Sequence, residues 1–218
     1  MGDVPSAWTW WRIKNVAAIN RESLPETTDP DRTIDYIDIS TVSSTGSFSA
    51  RDEMPFSAAP SRARRLVRVG DSIVSTVRTY LKAIAYIDAP VAHCVVSTGF
   101  ATLTPRVEQV QPRYLYWWLR SSPFVEEVVA RSVGVSYPAV NAADLGSIGI
   151  PTPPDYAEQE MRAQFLDDET AHLDAISLEH EQMLGPRGSG GFGLLDERRQ
   201  ALITTVMTGA PLEGLLNA

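Results

Sequence analysis

Between Ile150 and Pro186 the chain leaves itself little conformational choice. Ile150-Pro151-Thr152-Pro153-Pro154 holds three prolines in five residues. Each proline fixes φ and removes a backbone donor, so the segment is extended and stiff. Asp155 follows, with Glu158 three residues on. That spacing marks a helix start, where the aspartate caps free N–H groups and the glutamate reaches back. The next stop signal is Gly185-Pro186. The residues between predict one helix of roughly 29 residues, about 43 Å long. A domain core rarely needs such a length; a helix that lies along another helix does.

Leu166, Thr170, Leu173, Ser177, His180 and Leu184 follow a 4-3-4-3-4 spacing, flanked by Ile176 and Met183. This is the seam of a helix packed on a helix. A partner helix in another chain is the favoured reading; the other is that the stripe packs on its own domain. On the first, aspartate at Leu166 and Leu173 breaks the pairing. Residues 185–193 follow, with five glycines in nine, which predicts a flexible insert. Helical spacing resumes at Leu195, Leu202 and Val206 and stops at Gly209 and Pro211. A helix, a flexible break and a second helix can fold back as a hairpin. The predicted units are a body at 1–154, a long helix at 155–184, the insert at 185–193 and a C-terminal helix and tail at 194–218.

The body reads as strand-rich, then helical, so the fold class is α+β. Thr33 to Ser40 alternates as a strand. Arg65 to Val77 reads as a hairpin around Gly70-Asp71. Leu81 to Ile87, Val91 to Val96, Phe100 to Leu103 and Ser147 to Ile150 read as further strands. Arg12 to Ile19 suggests a short helix, the segments 20–33 and 41–60 read as loops, and Trp8, Trp10 and Trp11 read as core or edge packing. Pro112 to Leu119 and Pro123 to Ser132 have helical spacing with proline near each start.

The net charge of −8 argues against a nucleic-acid partner until its distribution is considered. Residues 1–154 balance fifteen basic against fifteen acidic residues, and residues 155–218 carry four against twelve. All the excess acid lies beyond the hinge. Within the body, residues 62–82 hold Arg62, Arg64, Arg65, Arg68, Arg78 and Lys82 against Asp71 alone. Screening makes such local balance decisive for phosphate contacts. The four arginines from Arg62 to Arg68 are phosphate candidates, because guanidinium forks match phosphate geometry. Thr76, Arg78, Tyr80 and Lys82 mix groups that reach base edges, and Ser136, Tyr137 and Asn141 form a second polar loop. A solvated strand face or a capped turn is the competing reading for each.

Catalytic chemistry is missing from the sequence. His172 and His180 are too far apart on one helix to share a metal. His93 and Cys94 are neighbours on a predicted strand and point to opposite faces. No phosphate-binding glycine loop occurs. The lone cysteine, Cys94, fits a reducing cytoplasm, and no stretch is apolar enough to predict a membrane span.

Several stretches in order resemble the specificity subunits of type I restriction–modification systems. They are Tyr36-Ile37-Asp38-Ile39-Ser40, Ala59 to Arg65, Gly70-Asp71 with Ser75-Thr76-Val77-Arg78, and Ser97-Thr98-Gly99-Phe100. Tyr114 to Leu119, Tyr137 to Asn141 with Asp144-Leu145, the hinge, Glu158-Gln159, Phe165-Leu166-Asp167 and Glu197 to Ile203 complete the set. The resemblance implies a target recognition domain that reads double-stranded DNA, followed by a spacer and dimerisation helix. It implies no catalysis and no cofactor in this chain. S-adenosylmethionine, ATP and Mg are expected on the partner subunits, a methyltransferase (modification) subunit and a restriction subunit. With one recognition domain and one helix, the chain resembles half of such a subunit, which implies a homodimer. Leu166, Thr170, Leu173, Ile176, Met183 and Leu184 would form its helix seam. A scaffold or inhibitor that keeps the fold without reading DNA is the alternative.

Overall fold

The computed structural model describes residues 4–49, 51–89, 94–134, 138–184 and 192–215. Two four-stranded sheets and a layer of helices are stacked in it. The first sheet has the order β2 (Ala17–Ile19), β9 (Phe100–Pro105), β6 (Ser72–Ser75), β7 (Ile84–Tyr86), all antiparallel. The second has the order β4 (Asp52–Pro55), β3 (Thr33–Ile37), β8 (Cys94–Ser97), β5 (Ala63–Leu66). In it β3 and β8 run parallel. The turn from β8 to β9 carries the chain from one sheet to the other.

The first sheet is buried on both faces, and its sequence shows why. Ile73 belongs to the cluster between the sheets, with Ile37, Val96 and Phe100. Its neighbour Val74 belongs to the cluster beneath the helices. Alternation along β6 sends the two to opposite faces, and both are apolar. The outer face of the second sheet buries Ile34, Tyr36 and Val95 with Leu24 and Phe56, supplied by the connecting segments.

Helix α2 (Pro112–Arg120) lies in the middle of the helical layer, and every residue from Tyr114 to Arg120 is buried. Its N-terminus is set by Gln111, whose side chain accepts from Tyr114 N at 2.6 Å, with Pro112 at the first turn. The Tyr114 hydroxyl donates to Pro151 O at 2.7 Å, and the Trp118 indole donates to Gly149 O at 2.9 Å. Burial raises the Tyr114 phenol well above its ordinary range. Arg120 donates to Tyr116 Oη at 2.7 Å, Ser44 O at 3.0 Å and Thr45 O, fastening the 43–47 loop to the helix. Each large apolar side chain buried here contributes about 1.5–3 kcal/mol.

The first part of the proline segment, Ile150 to Thr152, lies within a strand. β10 (Gly149–Thr152) pairs antiparallel with β1 (Thr9–Arg12), Trp11 opposite Ile150. A Cβ on Gly149 would sit 3.0 Å from the Trp10 ring, so this position admits glycine alone without a shift. Trp10 then meets Trp118 edge-on at 6.0 Å. As β1 is an edge strand, Trp10 and Trp11 stay partly exposed while Trp8 is buried.

Helix α5 (Tyr156–Leu184) follows the hinge, close to the predicted span. Asp155 caps it by accepting from Ala157 N at 2.9 Å. Glu158 does not reach back; it pairs with Arg162 one turn on, at 2.8 Å. Gln159 is buried and bonded at both ends of its amide, accepting from Gln111 N and donating to Pro153 O. Helix α6 (Phe192–Met207) returns antiparallel to α5 as the expected hairpin. Asp174 of α5 pairs with Arg199 of α6, and Arg162 donates to Val206 O at 2.9 Å and Ala210 O at 3.0 Å. Thr204 of α6 accepts from Ser122 N, at the start of α3 (Ser122–Arg131). Short helices α1 (Ile13–Val16), α4 (Ala142–Gly146) and α7 (Leu212–Leu215) complete the fold. Among the described residues no helix is long and apolar enough to cross a membrane.

Three expectations need correction. β5 and β6 are not a hairpin: Gly70 makes the turn with a φ of +91°, but the chain changes sheets there, and β5 pairs with β8. The 41–60 segment contains β4, whose charged residues lie on an outer edge where alternation gives no signal. The 12–19 segment is helical for one turn only, between β1 and β2.

Candidate nucleic-acid interface

One end of the two sheets gathers a set of loops. Asp38 ends β3 and caps the turn at Ile39–Thr41, accepting from Ser40 N at 3.2 Å. Its other oxygen accepts from the Tyr36 hydroxyl at 2.9 Å and from Arg62 Nε at 3.0 Å. Burial pushes the Asp38 carboxyl up, but these hydrogen bonds and the Arg62 charge outweigh it and hold the group below its usual range. The Arg62 guanidinium, more than half exposed, is thereby aimed by two anchors.

The Arg62 carbonyl accepts from Thr98 N at 2.8 Å. Gly99, next along the β8–β9 turn, has Ile39 pressed against it: an added Cβ would sit 2.5 Å from Ile39 Cδ1. The Gly99 carbonyl accepts from both N–H and hydroxyl of Thr76, at 2.8 and 2.9 Å. Thr76 O in turn accepts from Val140 N, and Arg78 N donates to Pro138 O, both at 2.9 Å. Backbone bonds thus join the 62, 97–99, 76–82 and 138–141 segments, and the side chains of Asp38 and Ile39 add the 38–41 turn to the same end. On it lie Arg62, Arg78, Tyr80, Lys82 and Asn141.

The rest of the basic run goes elsewhere. From Arg62 to Arg68 an extended chain covers roughly 20 Å, and β5 runs away from the loops. Arg64 stacks over the Phe56 ring at 4.5 Å. Arg65 is half buried, and burial lowers its pKa. Arg68 pairs with Glu22 at the far end, where Leu66 N also meets Glu22 O. Two polar candidates already serve the fold. The Thr76 hydroxyl holds Gly99, and Asn141 caps α4, accepting from Asp144 N at 2.8 Å. Ser136 and Tyr137 lie outside the described residues.

The helix seam is largely taken up inside the chain. Leu166, Thr170 and Leu173 are buried, with Leu166 in one cluster with Leu115, Ile203 and Val206. Ile176 is 38% exposed, and the side chains of Met183 and Leu184 lie outside the described residues. The packing on the chain's own α2 and α6 follows from the hairpin, which brings a ready-made apolar face to the stripe.

Sequence reasoning missed the anchors of Arg62, because Asp38 and Tyr36 are distant in the chain and meet it only through sheet pairing. It also missed Val133, 80% exposed at the same end. A single apolar residue after a helix gives no signal.

A family model described as the type I restriction modification DNA specificity domain matches residues 5–182. A chain from a study of complex assembly and conformational transition of the type I R-M system is 29% identical, with a TM-score of 0.75 over 84% of this chain and 47% of that one. The HsdS subunit from Thermoanaerobacter tengcongensis is 31% identical, with a TM-score of 0.70 over 83% and 45%. A type I restriction-modification S subunit from M. genitalium, 15% identical with a TM-score of 0.54, shares the fold. The chain therefore spans a little under half the length of these solved structures. No curated protein matches it.

Proposed function

The chain belongs to the type I restriction modification DNA specificity domain family, and from that premise we propose that it is the DNA-reading part of a specificity subunit. One observation carries the reading: loops from both sheets are welded into a single end that presents Arg62, Arg78, Tyr80 and Lys82. A sequence reader needs cations to set register on phosphates and a rigid base from which side chains reach base edges. The buried first sheet and α2 supply that base. Arg62, held by Asp38 and Tyr36, is assigned to a phosphate. Arg78 is assigned to a base edge, where arginine reads guanine. Thr76 and Asn141 position the loops. The chain itself is assigned no catalysis and no cofactor. Methyl transfer from S-adenosylmethionine to adenine, and ATP- and Mg-dependent restriction, are assigned to modification and restriction subunits in the cytoplasm. The scaffold alternative leaves the cationic end without a purpose.

A salt titration of DNA binding by the complex with its modification subunit tests the roles. Arg62→Ala lowers affinity for all sequences and flattens the salt dependence by about 0.9 log unit of slope. Arg78→Ala relaxes the preference at one position, with a loss of about 1–3 kcal/mol for the preferred base. An unchanged slope removes Arg62 from the interface; an unchanged preference does the same for Arg78 as a reader.

Pairing with a second copy is assigned to the outward side of α5. Ile176 is 38% exposed there, on the side of the helix away from Asp174, which pairs with Arg199 of α6. Two-fold pairing is the commonest symmetry for identical chains and matches an inverted-repeat target. Sedimentation of the complex should show two copies of this chain, and one copy after Ile176→Asp. A single copy in the wild-type complex overturns the assignment.

A further inference from the structure

The loop end carries a feature that phosphate contact does not require. Tyr80 and Leu81 stand 57% and 42% exposed on the one-turn helix Thr79–Leu81, and Val133 is exposed beside them. Val133 follows Ser132, whose hydroxyl lies 3.0 Å from that of Thr79. The turn is rigid. Thr79 is buried against α3, Leu81 N donates to Arg78 O at 2.9 Å, and Lys82 N donates to Thr79 O at 3.2 Å. Arg78 and Lys82 bracket it with φ of 50° and 52°, a left-handed conformation that side chains other than glycine rarely adopt. Such positions persist only where their surroundings enforce them.

The result is a fixed apolar tooth between two cations, on a stretch from Ser72 to Ile87 with no Asp or Glu. A partner for it must be apolar at the centre and negative on both sides. A duplex offers that pattern, with stacked bases between phosphates. Taking the DNA-reading assignment above as its basis, we infer that Tyr80 and Leu81 act as a wedge that enters a base step and kinks the duplex. Lys82 holds a flanking phosphate on one side of the wedge, and Arg78 reaches the acceptor edge of a base on the other. Side chains of this kind partly unstack a step where they insert. The wedge selects sequence through deformability, favouring a soft pyrimidine–purine step at the kink.

The test uses the complex of the full chain with its modification subunits. The probe is a duplex of about 30 base pairs carrying the motif found by methylome sequencing, with a fluorophore at each end. The wild type shortens the end-to-end distance. The double variant Tyr80→Ala, Leu81→Ala binds without shortening it, and affinity falls about tenfold to a hundredfold. A mismatch at the kinked step, which makes that step flexible beforehand, restores most of the loss. Tyr80→Phe keeps both bend and affinity. A double variant that bends the duplex like the wild type, or gains nothing from the mismatch, overturns the wedge and leaves the DNA reading standing. If the double variant loses only its hold on the modification subunit, the tooth is a protein contact and the wedge is wrong. A wild-type complex that binds no duplex overturns the DNA reading and the wedge with it.

Discussion

Leu166→Asp gives a protein that loses its fold, not a folded monomer. Leu166 has no exposed surface and lies in the main buried cluster. Truncating such a leucine costs about 2–5 kcal/mol through lost burial and the cavity left behind. An aspartate adds the cost of a carboxylate with no partner, which it can reduce only by taking up a proton. Together these approach the whole of a typical domain stability, about 5–15 kcal/mol. Thermal denaturation followed by circular dichroism measures the effect. A variant that melts like the wild type would show that Leu166 faces a second chain after all. The contrast is Ile176→Asp, which changes an exposed position and should leave the melting temperature within a few degrees.

Asp167→Ala should detach α5 from α2 at a cost of about 2–3 kcal/mol, read as a lower midpoint in urea denaturation with an unchanged slope. Asp167 receives the Arg113 fork, at 3.0 Å from Nε and again from Nη2, and the Trp117 indole N–H at 2.9 Å. Arg113 also stacks over the Tyr86 ring at 4.5 Å. Removing the carboxylate strands a cation among aromatic rings and leaves an indole donor unpaired. Both charged side chains keep about a quarter of their surface, so the loss sits at or below the low end for a fully buried pair. The sign of a second change is the sharper test. Adding Arg113→Met should recover part of the loss, because no charge is then left unpaired. A double variant less stable than Asp167→Ala would mean that Arg113 stabilises chiefly through the rings.

Local signals carried the helices. Asp155 opens α5 and Pro112 opens α2, because caps act within a turn of where they are written; the predicted stop at Gly185-Pro186 lies outside the described residues. Strand pairing was harder to read. Gly70-Asp71 does make the tight turn that its residues demand, yet no local rule says whether the next strand pairs with the last or joins another sheet. β4 was invisible, since an edge strand of Asp52-Glu53-Met54-Pro55 has neither an apolar face nor alternation. The stripe from Leu166 to Leu173 showed that α5 packs on a helix, but spacing alone does not say whose helix. The basic run 62–68 looked like one cluster in one dimension. An extended strand spreads its residues along its length, so Arg62 reaches the loops and Arg68 meets Glu22 at the other end. Arg62 was therefore legible as a cation at the candidate site, and the Asp38 and Tyr36 that aim it were not.

The pairing of β1 with β10 sets a timetable for the chain. Its two strands lie at opposite ends of the recognition body, so nearly all of that body must be synthesised before the pair can form. Long-range closure of this kind slows folding, because the entropy of joining distant segments is lost before their contacts form. Until β10 emerges, the Trp10 ring lacks the Gly149 it packs against and the Trp118 indole lacks the carbonyl it donates to. During synthesis the amino-terminal strand waits as an unpaired edge with two tryptophans, and it is the segment of this protein most in need of protection while the ribosome completes the rest.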